Sequence, residues 1–173
     1  LWNFESGVAH SIQALDKGCE FLLVFSEANF SENQTLLLSD WLAHTPDDIV
    51  AANFKKTEEE LASLPKTEKY IFNGTIPGSI EAEKRTNPNG DVVNPLTLHL
   101  DKVAPIQSEA GRAWILDQKV FPAAKTISAA IVEVEPGGMR ELHWHPKSSE
   151  WQYYIKGQAR MTVFNSNGLA RTY

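Results

Sequence analysis

Between Gly137 and Gly157 the chain places His143, His145 and Glu150 within eight positions, bracketed by glycines. Two neutral imidazoles and a carboxylate form a donor set for Mn, Fe, Zn, Ni or Cu, with positions left open for substrate or oxygen. The competing reading is a pair of surface histidines beside a partly buried glutamate, since His-x-His pairs are common in loops.

For these three residues to meet, the chain must hold them on strands joined by a turn. Strand side chains alternate between faces, so histidines one position apart point the same way. Residues 127–134 are rich in β-branched and small apolar types, and residues 151–155 in aromatics, as strands require. Pro146, Lys147, Ser148 and Ser149 read as a turn that carries Glu150 back beside the imidazoles. Trp144, between the two histidines, must face away from them. Glu141 and Gln152 receive no role at this level.

Gly137, five residues, His143-Trp144-His145, four residues, Glu150, six residues and Gly157 resemble the first motif of the cupin superfamily. The wording around it resembles the second domain of bicupin oxalate decarboxylases. Ser6-Gly7-Val8-Ala9-His10-Ser11-Ile12-Gln13 resembles the second motif of the first domain in that family. Phe30-Ser31-Glu32-Asn33 and Asp40-Trp41-Leu42-Ala43-His44-Thr45-Pro46 follow its pattern too. The resemblance spans essentially the whole chain. It implies a mainly β fold of double-stranded β-helix (jelly-roll) barrels with a short helical segment between the two barrel portions. Motif two here precedes motif one, so the expectation is the middle of a bicupin cut at both ends. Residues 1–103 would end the first domain and residues 104–173 would begin the second.

By resemblance, His10 is a ligand of a first-domain metal site, and His143, His145 and Glu150 belong to a second. A lone histidine in a strand turn is ordinarily structural, and only the motif raises His10 above that. The family has Tyr and Pro where this chain has Asn3 and Glu5, and Pro where it has Ala9; losing prolines would loosen the turn that aims His10. Ser31, Glu32, Asn33 and Gln34 match the family's active-site lid, with Gln34 replacing a serine. Glu32 is then the catalytic proton carrier, since lid closure excludes water and lets a carboxyl group take up and return a proton. Without the family, Glu32 is an exposed loop glutamate. The resemblance also gives Arg140 the catalytic and substrate-binding task of holding an oxalate carboxylate, which suits its planar fork. A bend or bulge is needed to turn it toward the histidines. The bland alternative is a surface ion pair.

The activity implied is Mn- and dioxygen-dependent cleavage of oxalate to formate and carbon dioxide. Two alternatives are a bicupin oxalate oxidase, giving hydrogen peroxide, and a non-enzymatic storage bicupin, which the intact ligand set argues against. The family implies a homo-oligomer, a hexamer built from trimers.

The 173 residues carry a net charge of −6 and no basic cluster, which argues against nucleic-acid binding. No apolar run reaches membrane-spanning length, and no secretory leader is visible. Asn29, Asn33 and Asn73 head Asn-x-Ser/Thr acceptors, favouring an extracellular glycoprotein. Asn73 and Asn29 are the expected sites, because a glycan on Asn33 would obstruct the lid. A bacterial chain could instead be cytoplasmic or associated with the cell wall.

Elsewhere, residues 1–25 read as two strands around a turn at residues 7–10, and Cys19 as a buried structural thiol. Asp40 is the expected N-cap of a helix running to about Phe54. A second short helix opens with the capping box Thr57-Glu58-Glu59-Glu60 and ends at Pro65. Residues 74–95 read as an exposed connection. His44 lacks ligand spacing, and His99 alternates with Leu98 and Leu100 as a strand-surface residue.

Overall fold

A computed structural model describes residues 1–79 and 95–173, so most of the connection expected at 74–95 lies outside the described residues. Two short helices, α1 (Leu38–Ala43) and α2 (Asp47–Phe54), stand where one helix was expected. Pro46 explains the break, because the residue before a proline is pushed out of helical geometry. Asp40 lies in the first turn of α1, whose N-cap is Leu37. Of the apolar positions, Val50 and Ala51 are buried, whereas Trp41 and Ile49 remain exposed. Lys55 ends α2 in left-handed geometry at φ 54°, and Lys56 N–H reaches back to the Ala51 carbonyl. The capping box at Thr57 forms reciprocally. Thr57 N–H donates to Glu60 Oε2 at 2.8 Å and Glu60 N–H to Thr57 Oγ1 at 3.3 Å, over turns rather than a regular helix.

The larger sheet has the order β1-β2-β3, from β1 (Ile106–Ser108), β2 (Gly111–Leu116) and β3 (Ala129–Val134), all antiparallel. β2 places Trp114 and Leu116 inward on either side of the exposed Ile115. Beyond it, Phe121, Ala123 and Ala124 are 5%, 2% and 5% exposed and pack with Leu96, Leu98 and Ile127. Asp117 starts this stretch by accepting from the Lys119 and Val120 N–H groups. A separate antiparallel pair joins β4 (Thr162–Phe164) to β5 (Ala170–Thr172).

Residues 3–25 and 137–160 are irregular segments punctuated by turns, without ladder partners among the described residues. Phe21, Leu22, Leu23, Val24 and Phe25 are each 43–58% exposed. Cys19 is exposed as well, contrary to the expectation of a buried thiol. Its apolar neighbours describe a strand that needs cover on both faces, and burial depends on that cover rather than on local composition.

Candidate metal centre

β3 delivers the chain to the centre. Glu135 N–H donates to the Ala110 carbonyl at 2.9 Å, and Gly138 N–H closes a turn onto Glu135 at 2.8 Å. Gly137 takes φ 83° in that turn. A Cβ on Gly138 would stand 2.7 Å from the Ala110 carbonyl oxygen, so only glycine lets the segment lie this close to the β1–β2 hairpin.

From there, His143, His145 and Glu150 each bring one ligand atom within 4.8 Å of the others. A turn at Pro146–Lys147 returns the chain, and Glu150 Oε2 meets His145 Nε2 at 2.9 Å. The two imidazole centroids are 5.3 Å apart and nearly perpendicular. His143 Nδ1 lies 2.7 Å from the Glu141 carbonyl, a bond in which Nδ1–H donates and Nε2 is left as the free donor atom.

The donor set suits a first-row divalent ion by chemistry, and the His145–Glu150 pair suits one by spacing. Metal bonds of ~2.1 Å require ligand atoms roughly 3 Å apart at right angles, close to the His145–Glu150 separation. Glu150 is also held ready as a carboxylate. Its pKa is lowered chiefly by the hydrogen bond from Gln152; burial opposes this, and the two imidazoles add smaller lowering effects. Gln152 Nε2 donates to Glu150 Oε1 at 2.7 Å, and Tyr154 Oη–H to Gln152 Oε1 at 3.2 Å. Sequence reasoning gave neither Gln152 nor Glu141 a role. The available signal was the period of two, which puts residues 150, 152 and 154 on one face.

The other predicted residues lie outside this trio. His10 stacks on Phe4 at 4.2 Å, with 13° between ring planes, and its Nδ1 approaches the Val8 carbonyl at 2.9 Å. It therefore repeats the His143 arrangement. Glu32 opens a short 3-10 turn, Glu32–Gln34, closed by Gln34 N–H to Ser31 and Thr35 N–H to Glu32. Glu32 and Asn33 are exposed. The Glu32 carboxylate pushes the Tyr70 phenol pKa up, by a hydrogen bond first and by charge second. The stretch before Tyr70 is fastened to the helices, where Lys69 N–H donates to Ser39 Oγ at 2.8 Å and Lys66 pairs with Asp47. Arg140 is exposed, three residues before His143. Trp144 is 82% exposed, Asn29 and Asn73 are exposed, and His99 is exposed between half-buried leucines.

Residues 98–173 match the family described as Cupin. This stretch is a cupin domain sequence. Over all 173 residues the chain is 57% identical to oxalate decarboxylase OxdC of Bacillus subtilis, and it spans 45% of that relative's length. The solved formate complex of Lactobacillus farciminis oxalate decarboxylase is 66% identical, with a TM-score of 0.95 over 99% of this chain and 51% of that one. A Bacillus subtilis oxalate decarboxylase structure, determined in work on its Mn(II) centres, is 55% identical, with a TM-score of 0.79 over 84% of this chain and 39% of that one. The fold is therefore that of a cupin. The irregular segments of this chain follow cupin paths even where no ladder partner covers them.

Proposed function

We propose that the protein serves an oxalate decarboxylase that converts mono-oxalate to formate and carbon dioxide with manganese and dioxygen. The observation that carries this reading is the His143–His145–Glu150 trio within a chain that matches, almost end to end, an oxalate decarboxylase solved with formate. When bound, manganese with dioxygen would supply Lewis acidity and one-electron redox chemistry.

The chain's own residues do the rest. His143, His145 and Glu150 hold the ion in the second domain, residues 104–173, and His10 contributes to the site of the first, residues 1–103. Arg140, three residues before His143, would fix a carboxylate of oxalate bound at that second-domain site through its planar fork, lowering the entropy cost of reaction. At the first-domain site Glu32 accepts the proton of mono-oxalate and returns one to carbon. The carbon–carbon bond breaks, carbon dioxide leaves, and the new carbon–hydrogen bond makes formate, so one proton is taken and one given. Ser31, Asn33 and Gln34 form the short lid that carries Glu32, and closure over the substrate would exclude water.

The reading extends to a homo-oligomer, a hexamer built from trimers, and to a secreted glycoprotein. Exposure of Asn29 and Asn73 is compatible with glycans there.

The test is a product assay on oxalate at mildly acidic pH under air, quantifying formate and hydrogen peroxide together. Formate in stoichiometric yield upholds the reading. Peroxide with little formate replaces it with an oxidase, and no turnover by metal-loaded protein removes it.

A further inference from the structure

Asn3 and Glu5 reach across the chain to the most tightly packed stretch among the described residues. Asn3 Nδ2 donates to the Ala123 carbonyl at 2.7 Å in a half-buried setting, and Lys125 Nζ pairs with Glu5 Oε1 at 2.8 Å. The backbone zips the same strip down, with Asn3 N–H on the Leu96 carbonyl at 2.9 Å and a bridge between Trp2 and Thr97. Ala123 and Ala124 are almost fully buried, so this anchor is the rigid partner. Phe4 stands between the two anchoring residues. On an extended segment residues 3 and 5 share one face and residue 4 takes the other. That other face carries the phenyl ring stacked on His10.

We propose that Asn3 and Glu5 are positioning residues, a two-point clamp on the 123–125 segment that fixes Phe4 and, through it, the His10 ring for metal coordination. The proposal deepens the function above and rests on the reading of His10 as a ligand. Asn3 and Glu5 are also where the chain departs from the pattern it resembles, a tyrosine and a proline being replaced. Turn rigidity is recovered by other means. The Glu5 carbonyl accepts from Val8 N–H at 3.1 Å while its side chain is tied to Lys125, and Gly7 takes φ 81° between them. With the Phe4 face and the Val8 carbonyl both engaged, the His10 ring has its plane and its free nitrogen set before any ion arrives. Preset ligands of this kind carry about 10–100-fold in metal affinity through their outer-shell partners.

The test uses the full-length protein in two states. In metal-free protein, the His10 ring protons should show an upfield ring-current shift in proton NMR, assigned by its loss in Phe4→Leu. Asn3→Ala combined with Glu5→Gln should shrink that shift. The reversal Glu5→Lys with Lys125→Glu should restore the part due to the ion pair. In metal-loaded protein, manganese titration followed by EPR should show about ten-fold weaker binding at one site in Phe4→Leu. An unchanged ring-current shift in the Asn3 and Glu5 variants, with only a lower melting temperature, overturns the clamp. Failure of the charge reversal to rescue overturns the part assigned to Glu5 and Lys125. If His10→Ala keeps full metal stoichiometry while the clamp variants lose the shift, the ligand reading fails and the clamp on the ring stands.

Discussion

Replacing Gln152 by methionine removes the donor on Glu150 Oε1 while keeping the side chain's length. That bond is 2.7 Å long and charge-assisted, a class worth about 1.5–3 kcal/mol when well buried. The Glu150 side chain is 41% exposed, so solvent screening reduces its share to about 1–1.5 kcal/mol, or roughly 5–12-fold in metal affinity near neutral pH. The sign of the pH dependence follows from the depressed carboxyl pKa, whose largest cause is this same bond. Well above the ordinary glutamate value of about 4.3, Glu150 is ionised with or without Gln152, and only orientation is lost. As pH falls through that region, the variant protonates first, so the gap between the two proteins widens. Folding follows the same rule: the stabilisation from ionised Glu150 is present above its unfolded pKa and lost as pH falls through the folded one. Titrating free Mn(II) by its aqueous EPR signal at neutral and acidic pH measures both effects. Equal affinities at the two pH values, or a gap that narrows on acidification, would refute the assignment of Gln152. Tyr154→Phe should cost much less, because Tyr154 bonds Gln152 and not the carboxylate.

Glu32→Ala should lower formate production about 100-fold or more in the product assay, with peroxide rising as a fraction of turnover. Gly111→Ala should cost about 2–5 kcal/mol in denaturant unfolding, because its Cβ would lie 2.1 Å from the Glu133 carbonyl at φ 146°. Lys55→Gly should add about 0.5–1 kcal/mol in the same measurement by relieving left-handed strain at the end of α2.

The convergence of His143, His145 and Glu150 was legible because it depends on residue type and short spacing, and a turn of any regular kind brings Glu150 back to His145. The support behind it was less visible. Gln152 shares a face with Glu150, but an amide two residues away looks like any polar strand residue until its bond is seen. Near His10 the family's prolines are missing, and an aromatic stack and a carbonyl hold its ring instead, contacts that no local spacing announces. The break between α1 and α2 could have been read from Pro46, had the residue before it been weighed against the apolar period. Burial of Cys19 was misjudged for a different reason. An apolar strand shows that it wants cover, whereas whether cover is present depends on residues far away in sequence.

The exposed stretch at residues 21–25 sets a condition on synthesis. It leaves the ribosome 86 residues before β2 begins at Gly111, a wait of roughly 4–17 s at ordinary elongation rates. Phe-Leu-Leu-Val-Phe has strong strand propensity and no proline or charge, the composition that nucleates cross-chain pairing. Asp16, Lys17 and Glu20 precede it and Glu27 follows it, so like-charged nascent chains are held apart at both ends of the sticky run. Those flanking charges act as gatekeepers for a strand synthesised well before the β2–β3 sheet.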